Sequence, residues 1–312
     1  MVDAADTHAT DPHATDAWTA AMRRGEYAAA FALGDAVIAA RPPAERDDPR
    51  VDYHRRWVWD GRAFDGEDVL VRCYHGLGDT IQFARFLPLL GQRARSVTVE
   101  APARLHDLLA TIPCVDRLLA FDHAAPAKPF ACDIEITELP QALRATPADA
   151  AVPYLRASPA ALPAGTIGLC YSSGDWDHDR RVPPALLARL CEAHRCLLLV
   201  AEPTDLAVLN PAGCPFDIDA TASLVAACSL VVTVDTMIAH LAGALGRPTW
   251  LMLKAEPDWR WTPSARDTPW YPTMRLYAQP RVGDWASVVE AIAHDLSDPH
   301  ASRRKAAHGL QN

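Results

Sequence analysis

A chain of 312 residues, half of them apolar and 22% charged, is long enough for two α/β domains of ordinary size and too apolar to be disordered as a whole. Its formal net charge of −9 excludes a general nucleic-acid binder, which needs a basic surface, and leaves only local patches such as Arg180-Arg181 and Arg303-Arg304-Lys305. The N-terminus is polar and acidic, unlike a signal peptide, and no apolar run is long enough to span a bilayer; the expected location is cytoplasmic, with at most peripheral contact at the inner face of the membrane.

Residues 1–16 carry His-Ala-Thr-Asp twice with almost no large apolar group, and are expected to form a disordered tail. Within 17–50, Trp18, Met22, Tyr27, Phe31, Val37 and Ile38 recur at helical spacing around Arg24-Gly25-Glu26, which predicts a helical hairpin. A single pair of this tetratricopeptide-like kind cannot build a solenoid and reads as a brace on the next domain. Residues 51–160 form a first α/β domain, with strands expected at 69–73, 97–100, 118–121 and 132–136 and helices starting near Asp79, Pro102 and Glu138. The proline-rich stretch 146–163 is the linker. Residues 161–297 form a second domain, with strands at 167–171, 196–201, 230–234 and 250–253, helices near Pro184, Thr221 and Thr236, and a closing helix over 284–296. Residues 298–312 are a flexible tail. Such alternation predicts an α/β protein with parallel, doubly wound sheets. The eight cysteines show neither a C-x-x-C pair nor zinc spacing and read as buried reduced thiols, and no metal site is expected.

The first strand runs into Cys73-Tyr74-His75-Gly76-Leu77-Gly78-Asp79. This is no dinucleotide fingerprint: the third glycine is missing, and Asp79 puts negative charge where a diphosphate would lie. Gly76 and Gly78 let another molecule approach the backbone. Asp79 either caps the helix or takes a proton from a hydroxyl nucleophile. His75 is its partner or a turn residue. The second domain opens with Ser172-Ser173-Gly174, and Arg180-Arg181 follow; the set suits a diphosphate or a solvated turn.

From Ser229 to Leu253 a buried strand meets Asp235-Thr236, a short helix and a second buried strand. The first amides of that helix, those of Thr236, Met237 and Ile238, have no intrahelical partner and form an anion site at the strand's carboxyl end. Alternatively, Asp235-Thr236 is only a cap. His240, one turn on, either donates to a phosphate or is a satisfied histidine. Asp258-Trp259-Arg260-Trp261 and Trp270-Tyr271-Pro272 put rings in a loop, where they stack on a sugar or base or plug the space between domains; ligand contact is preferred, because so much rigid aromatic area needs something to cover.

Together, Gly76-Leu77-Gly78-Asp79-Thr80-Ile81-Gln82-Phe83-Ala84-Arg85, Val234-Asp235-Thr236-Met237-Ile238-Ala239-His240-Leu241-Ala242-Gly243, and the Asp258–Trp261 and Pro269–Pro272 segments resemble the ADP-heptose:lipopolysaccharide heptosyltransferase family and its tetratricopeptide-fused bacterial relatives. The resemblance implies a GT-B fold, two facing Rossmann-like domains with the acceptor in the first and the donor in the second. It implies Asp79 as general base, with His75 ranked second. The donor diphosphate would lie on Asp235, Thr236, Met237 and Ile238, near His240, with Ser172, Ser173 and Arg180 or Arg181. Trp259, Arg260 and Trp261 would meet the donor sugar or base or fill the interdomain space, and Gly76, Gly78 and Gln82 would lie on the acceptor side. Two features depart from the family: Met237 replaces the glycine of the phosphate loop, and the Ser173 to Arg180 spacing is longer.

The implied reaction is an inverting transfer from a nucleotide-diphosphate sugar, ADP-heptose among the candidates, to a hydroxyl on a glycan or lipopolysaccharide. No further cofactor is expected, because a helix start and an arginine already offset the leaving group's charge. Two alternatives stand beside it: a protein O-glycosyltransferase, and a non-catalytic nucleotide-sugar-binding or scaffold protein.

Overall fold

The computed structural model describes residues 12–297 except His123, Asp175, Trp176 and Phe216. The tail 298–312, and residues 1–11 of the N-terminal one, lie outside the described residues. Helix α1 (Pro12–Arg23) begins inside the stretch read as tail, and α2 (Tyr27–Ala40) packs on it. Gly25 ends α1 with φ +71°, where a side chain would be strained; the Glu26 amide donates to Ala21 O and the Gly25 amide to Met22 O. The hairpin touches both halves of the molecule. Gln141 Nε2 donates to Phe31 O and Asp35 Oδ1, both at 2.8 Å, while Arg23 Nη2 donates to Pro257 O at 2.8 Å and Trp18 meets Trp259 edge-on at 4.9 Å.

The first α/β unit runs β1 (Asp68–Arg72), α3 (Leu77–Phe83), α4 (Leu87–Gly91), β2 (Ser96–Ala101), α5 (His106–Leu109), β3 (Arg117–Ala120), β4 (Cys132–Glu135) and α6 (Leu139–Leu143). Its parallel sheet has the order β3-β2-β1-β4. Strands covered on both faces usually read as apolar runs, yet Arg72, Glu100, Asp133 and Glu135 are all buried here. They tolerate burial by pairing: Arg72 reaches Glu100 at 3.0 Å and Asp133 at 2.8 Å, and the Ala127 amide donates to Glu100 at 2.6 Å.

The second unit runs β5 (Ile167–Cys170), α7 (Pro184–Ala193), β6 (Cys196–Leu198), α8 (Ile218–Ala227), β7 (Leu230–Val234), α9 (Met237–Ala244), β8 (Thr249–Leu253), β9 (Met274–Ala278) and α10 (Trp285–Ser297). All the pairs in its sheet, ordered β6-β5-β7-β8-β9, are parallel. The sequence reading lacks β9, a five-residue edge strand whose Arg275 breaks the apolar pattern and pairs with Asp295 at 2.7 Å.

The linker is tied to both sheets' helices. The Tyr154 and Leu155 amides donate to Ala244 O at the end of α9, and the Tyr154 hydroxyl donates to Ile81 O in α3 at 3.0 Å. Seven cysteines are buried and Cys114 is half-buried; none is in a disulfide. No helix among the described residues is long and apolar enough to cross a membrane.

Candidate active site

β1 and β7 are inner strands, and the helices that follow them, α3 and α9, pack on each other across the two units. Gly78 makes that approach possible: a Cβ there would lie 3.1 Å from His240 Cδ2 and 3.6 Å from Met237 Cα. Asp79 and the start of α9 are thereby brought side by side.

On the first unit's side, Asp79 forms an ion pair with Arg260 Nη2. Arg260 also donates from Nε to Gln82 Oε1 at 2.5 Å and from Nη1 to Asp258 at 2.8 Å, and it lies 4.7 Å over the Trp259 ring. Burial works against its charge, but Asp258 and Asp79 outweigh burial and hold the guanidinium protonated. Gly76 is the N-cap of α3 and is exposed. His75 finds Glu135 rather than Asp79 as its hydrogen-bond partner, at 3.0 Å. Glu135 further accepts from the Tyr74 amide at 3.3 Å and the Thr137 amide at 2.7 Å, so one carboxylate fixes the turn that leads to Asp79. Burial alone would lower the imidazole, but Glu135 lifts it to about 9.

On the second unit's side, Thr236 caps α9 with its hydroxyl oxygen, which accepts from the Ile238 amide at 3.2 Å. The amide of Ile238, expected to face an anion, is therefore taken by the cap. Arg180 Nη1 meets Asp235 at both its backbone oxygen, 3.0 Å, and Oδ2, 3.2 Å, so Arg180 is the arginine whose guanidinium reaches Asp235; Arg181, next to it, is half-buried. Burial raises the Asp235 carboxyl. The Ser173 hydroxyl donates to Asp177 O at 2.8 Å and that of Ser172 to Ser173 O at 3.3 Å, so both are engaged within their own loop.

The structure corrects the preference for ligand contact by the aromatic loop. Trp261 is fully buried and stacked on His240 at 5.8 Å, and Trp259 sits between Trp18 and Trp270. These rings fill interdomain space. His240 shares a hydrogen bond with the Tyr271 hydroxyl at 3.0 Å, and burial drives its imidazole down to about 3, so it is neutral at pH 7. Sequence reasoning passed over Glu135 and Lys254, each at the carboxyl end of a fully buried strand. A charge at such a place is the signal that was available for them.

Residues 211–266, which span α8, β7, α9, β8 and the loop through Arg260, match the family model for glycosyltransferase family 9 (heptosyltransferase). Protein FlbA of Caulobacter vibrioides is 25% identical over 294 residues, covering 78% of this chain and 48% of FlbA; the chain thus spans about half the length of the curated relative it matches. Among solved structures, Escherichia coli ADP-heptose LPS heptosyltransferase II aligns with a TM-score of 0.51 at 16% identity, over 72% of this chain and 98% of that one. A family 9 glycosyltransferase of Veillonella parvula gives 0.50 at 14%, over 74% and 90%. The dodecameric iron-containing heptosyltransferase TibC of enterotoxigenic E. coli, in complex with ADP-D-β-D-heptose, gives 0.51 at 12%, over 75% and 78%. The chain therefore has the GT-B fold of the ADP-heptose heptosyltransferases and resembles glycosyltransferase family 9, whose sequence pattern it carries over residues 211–266.

Proposed function

We propose that the chain is an inverting glycosyltransferase that moves a sugar from a nucleoside-diphosphate donor to an acceptor hydroxyl on a glycan or lipopolysaccharide. The observation that carries this reading is the meeting of the two helix starts: Asp79, beyond β1, stands beside the Thr236-capped start of α9, beyond β7. Asp79 takes the proton of the acceptor hydroxyl as that oxygen attacks the anomeric carbon from the face opposite the nucleotide. Arg260, paired with Asp79, fixes where that carboxylate stands. Arg180 and the start of α9 offset the charge that develops on the departing diphosphate. ADP-heptose, bound by TibC, is the first donor to test.

A second reading, a non-catalytic nucleotide-sugar-binding protein, is favoured by one observation: Met237 stands in the phosphate loop, and Gly78 covers its backbone. Turnover and binding separate the two. Asp79→Asn keeps a hydrogen-bonding partner for Arg260 and is expected to cut kcat by roughly 100- to 10,000-fold, with donor affinity changed only a few-fold. Undiminished turnover removes Asp79 as base. Nucleotide-sugar binding without transfer to any acceptor supports the second reading.

A further inference from the structure

Lys254 is the first residue beyond β8, at the same carboxyl edge as Asp235 beyond β7 and Ser172 beyond β5. Its Nζ lies 2.9 Å from Asp177 Oδ2, and the same oxygen accepts from Arg180 Nε at 3.0 Å. The far side of the Arg180 guanidinium pairs with Asp235. An ammonium and a guanidinium thus converge on one carboxylate oxygen, with the Lys254, Arg180 and Asp177 side chains 28%, 11% and 14% exposed. The other oxygen, Oδ1, accepts from the Asp179 amide at 3.1 Å and holds the turn over His178–Arg180. Burial would raise the Asp177 carboxyl, but Lys254 and then Arg180 outweigh it and hold the group below its ordinary value. An oxyanion held between two cations at the carboxyl edge of a parallel sheet is the geometry in which a phosphoryl oxygen is bound.

We propose that Lys254 and Arg180 together bind a phosphoryl group of the donor's leaving nucleotide, and that Asp177 Oδ2 occupies that anion position until the donor arrives. This rests on the donor-site reading above. A phosphoryl oxygen replaces Oδ2 between the two cations, while Oδ1 keeps the turn closed. No bond is made or broken in the exchange. Asp177 thus acts as an internal competitor, and the occupied fraction of the cation pair sets the apparent donor affinity.

The sign of the Asp177 effect decides the matter. Asp177→Asn keeps the Oδ1 acceptor and removes the charge; Lys254→Met keeps the apolar stem and removes the cation. Calorimetric titration of the full chain with ADP, UDP, GDP and CMP at fixed salt is expected to show binding weakened about tenfold or more by Lys254→Met and tightened about threefold or more by Asp177→Asn. Thermal melts without nucleotide verify that both variants fold; Lys254→Gln replaces Lys254→Met if that variant does not. Unchanged affinity in the Lys254 variant, or weaker binding in Asp177→Asn, overturns this proposal alone. A wild-type chain that binds none of the four nucleotides overturns the donor-site reading and this proposal with it.

Discussion

His75 and His240 stand on either side of the α3–α9 contact and titrate in opposite senses. Burial opposes a charged His75, but Glu135 overrides it and raises the imidazole to about 9 from an ordinary value of 6.5. The stabilising pair is fully formed below the unfolded value and is lost as pH rises through the folded one. His240, pushed down to about 3 by burial, does the reverse and costs stability as pH falls below 6.5. Denaturant unfolding at about pH 6 and about pH 9.5 is expected to show a loss on the order of 1–3 kcal/mol in the wild type that is absent in His75→Gln. Equal slopes in the two proteins would remove the His75–Glu135 pair as a stabilising contact. Asp79 and Thr236 were legible in the sequence because helix starts carry local signals, a short polar residue after a buried strand. For Glu135 only its place was legible, a charge ending a buried strand, and not which turn its side chain serves.

At the scale of elements, the α1–α2 hairpin is more than a brace on one domain. Trp18 and Arg23 hold the loop that carries Arg260, while Phe31 and Asp35 hold α6. Removing the Trp18 ring from its edge-on contact with Trp259 exposes apolar surface on both sides. Trp18→Ala is expected to cost about 1–3 kcal/mol, read as a lower denaturation midpoint at unchanged slope; a midpoint within error of wild type would make the hairpin an appendage. Helical spacing predicted the pair, and apolar runs between turn residues predicted eight of the nine strands among the described residues. The edge strand β9 escaped because five residues interrupted by an arginine carry no usable periodicity.

For the whole molecule, buried contacts join the two units. Arg85, only 1% exposed, lies in a cage of Tyr154, Trp270 and Tyr271 rings at 5.5, 5.9 and 5.4 Å and donates to Trp270 O, joining first unit, linker and second unit. Scanning calorimetry is therefore expected to give a single unfolding transition for both units; two resolved transitions would show that this contact does not couple them. By itself the sequence determined the α/β class with parallel sheets, most strands and the two helix starts, because hydrophobic period, glycines and capping residues act over a few neighbours. Only the tertiary structure decided that Arg260 pairs with Asp79, 181 residues away, and that Trp261 stacks on His240 instead of facing a ligand. Which surface a loop covers depends on where distant segments pack, and no local pattern carries that information.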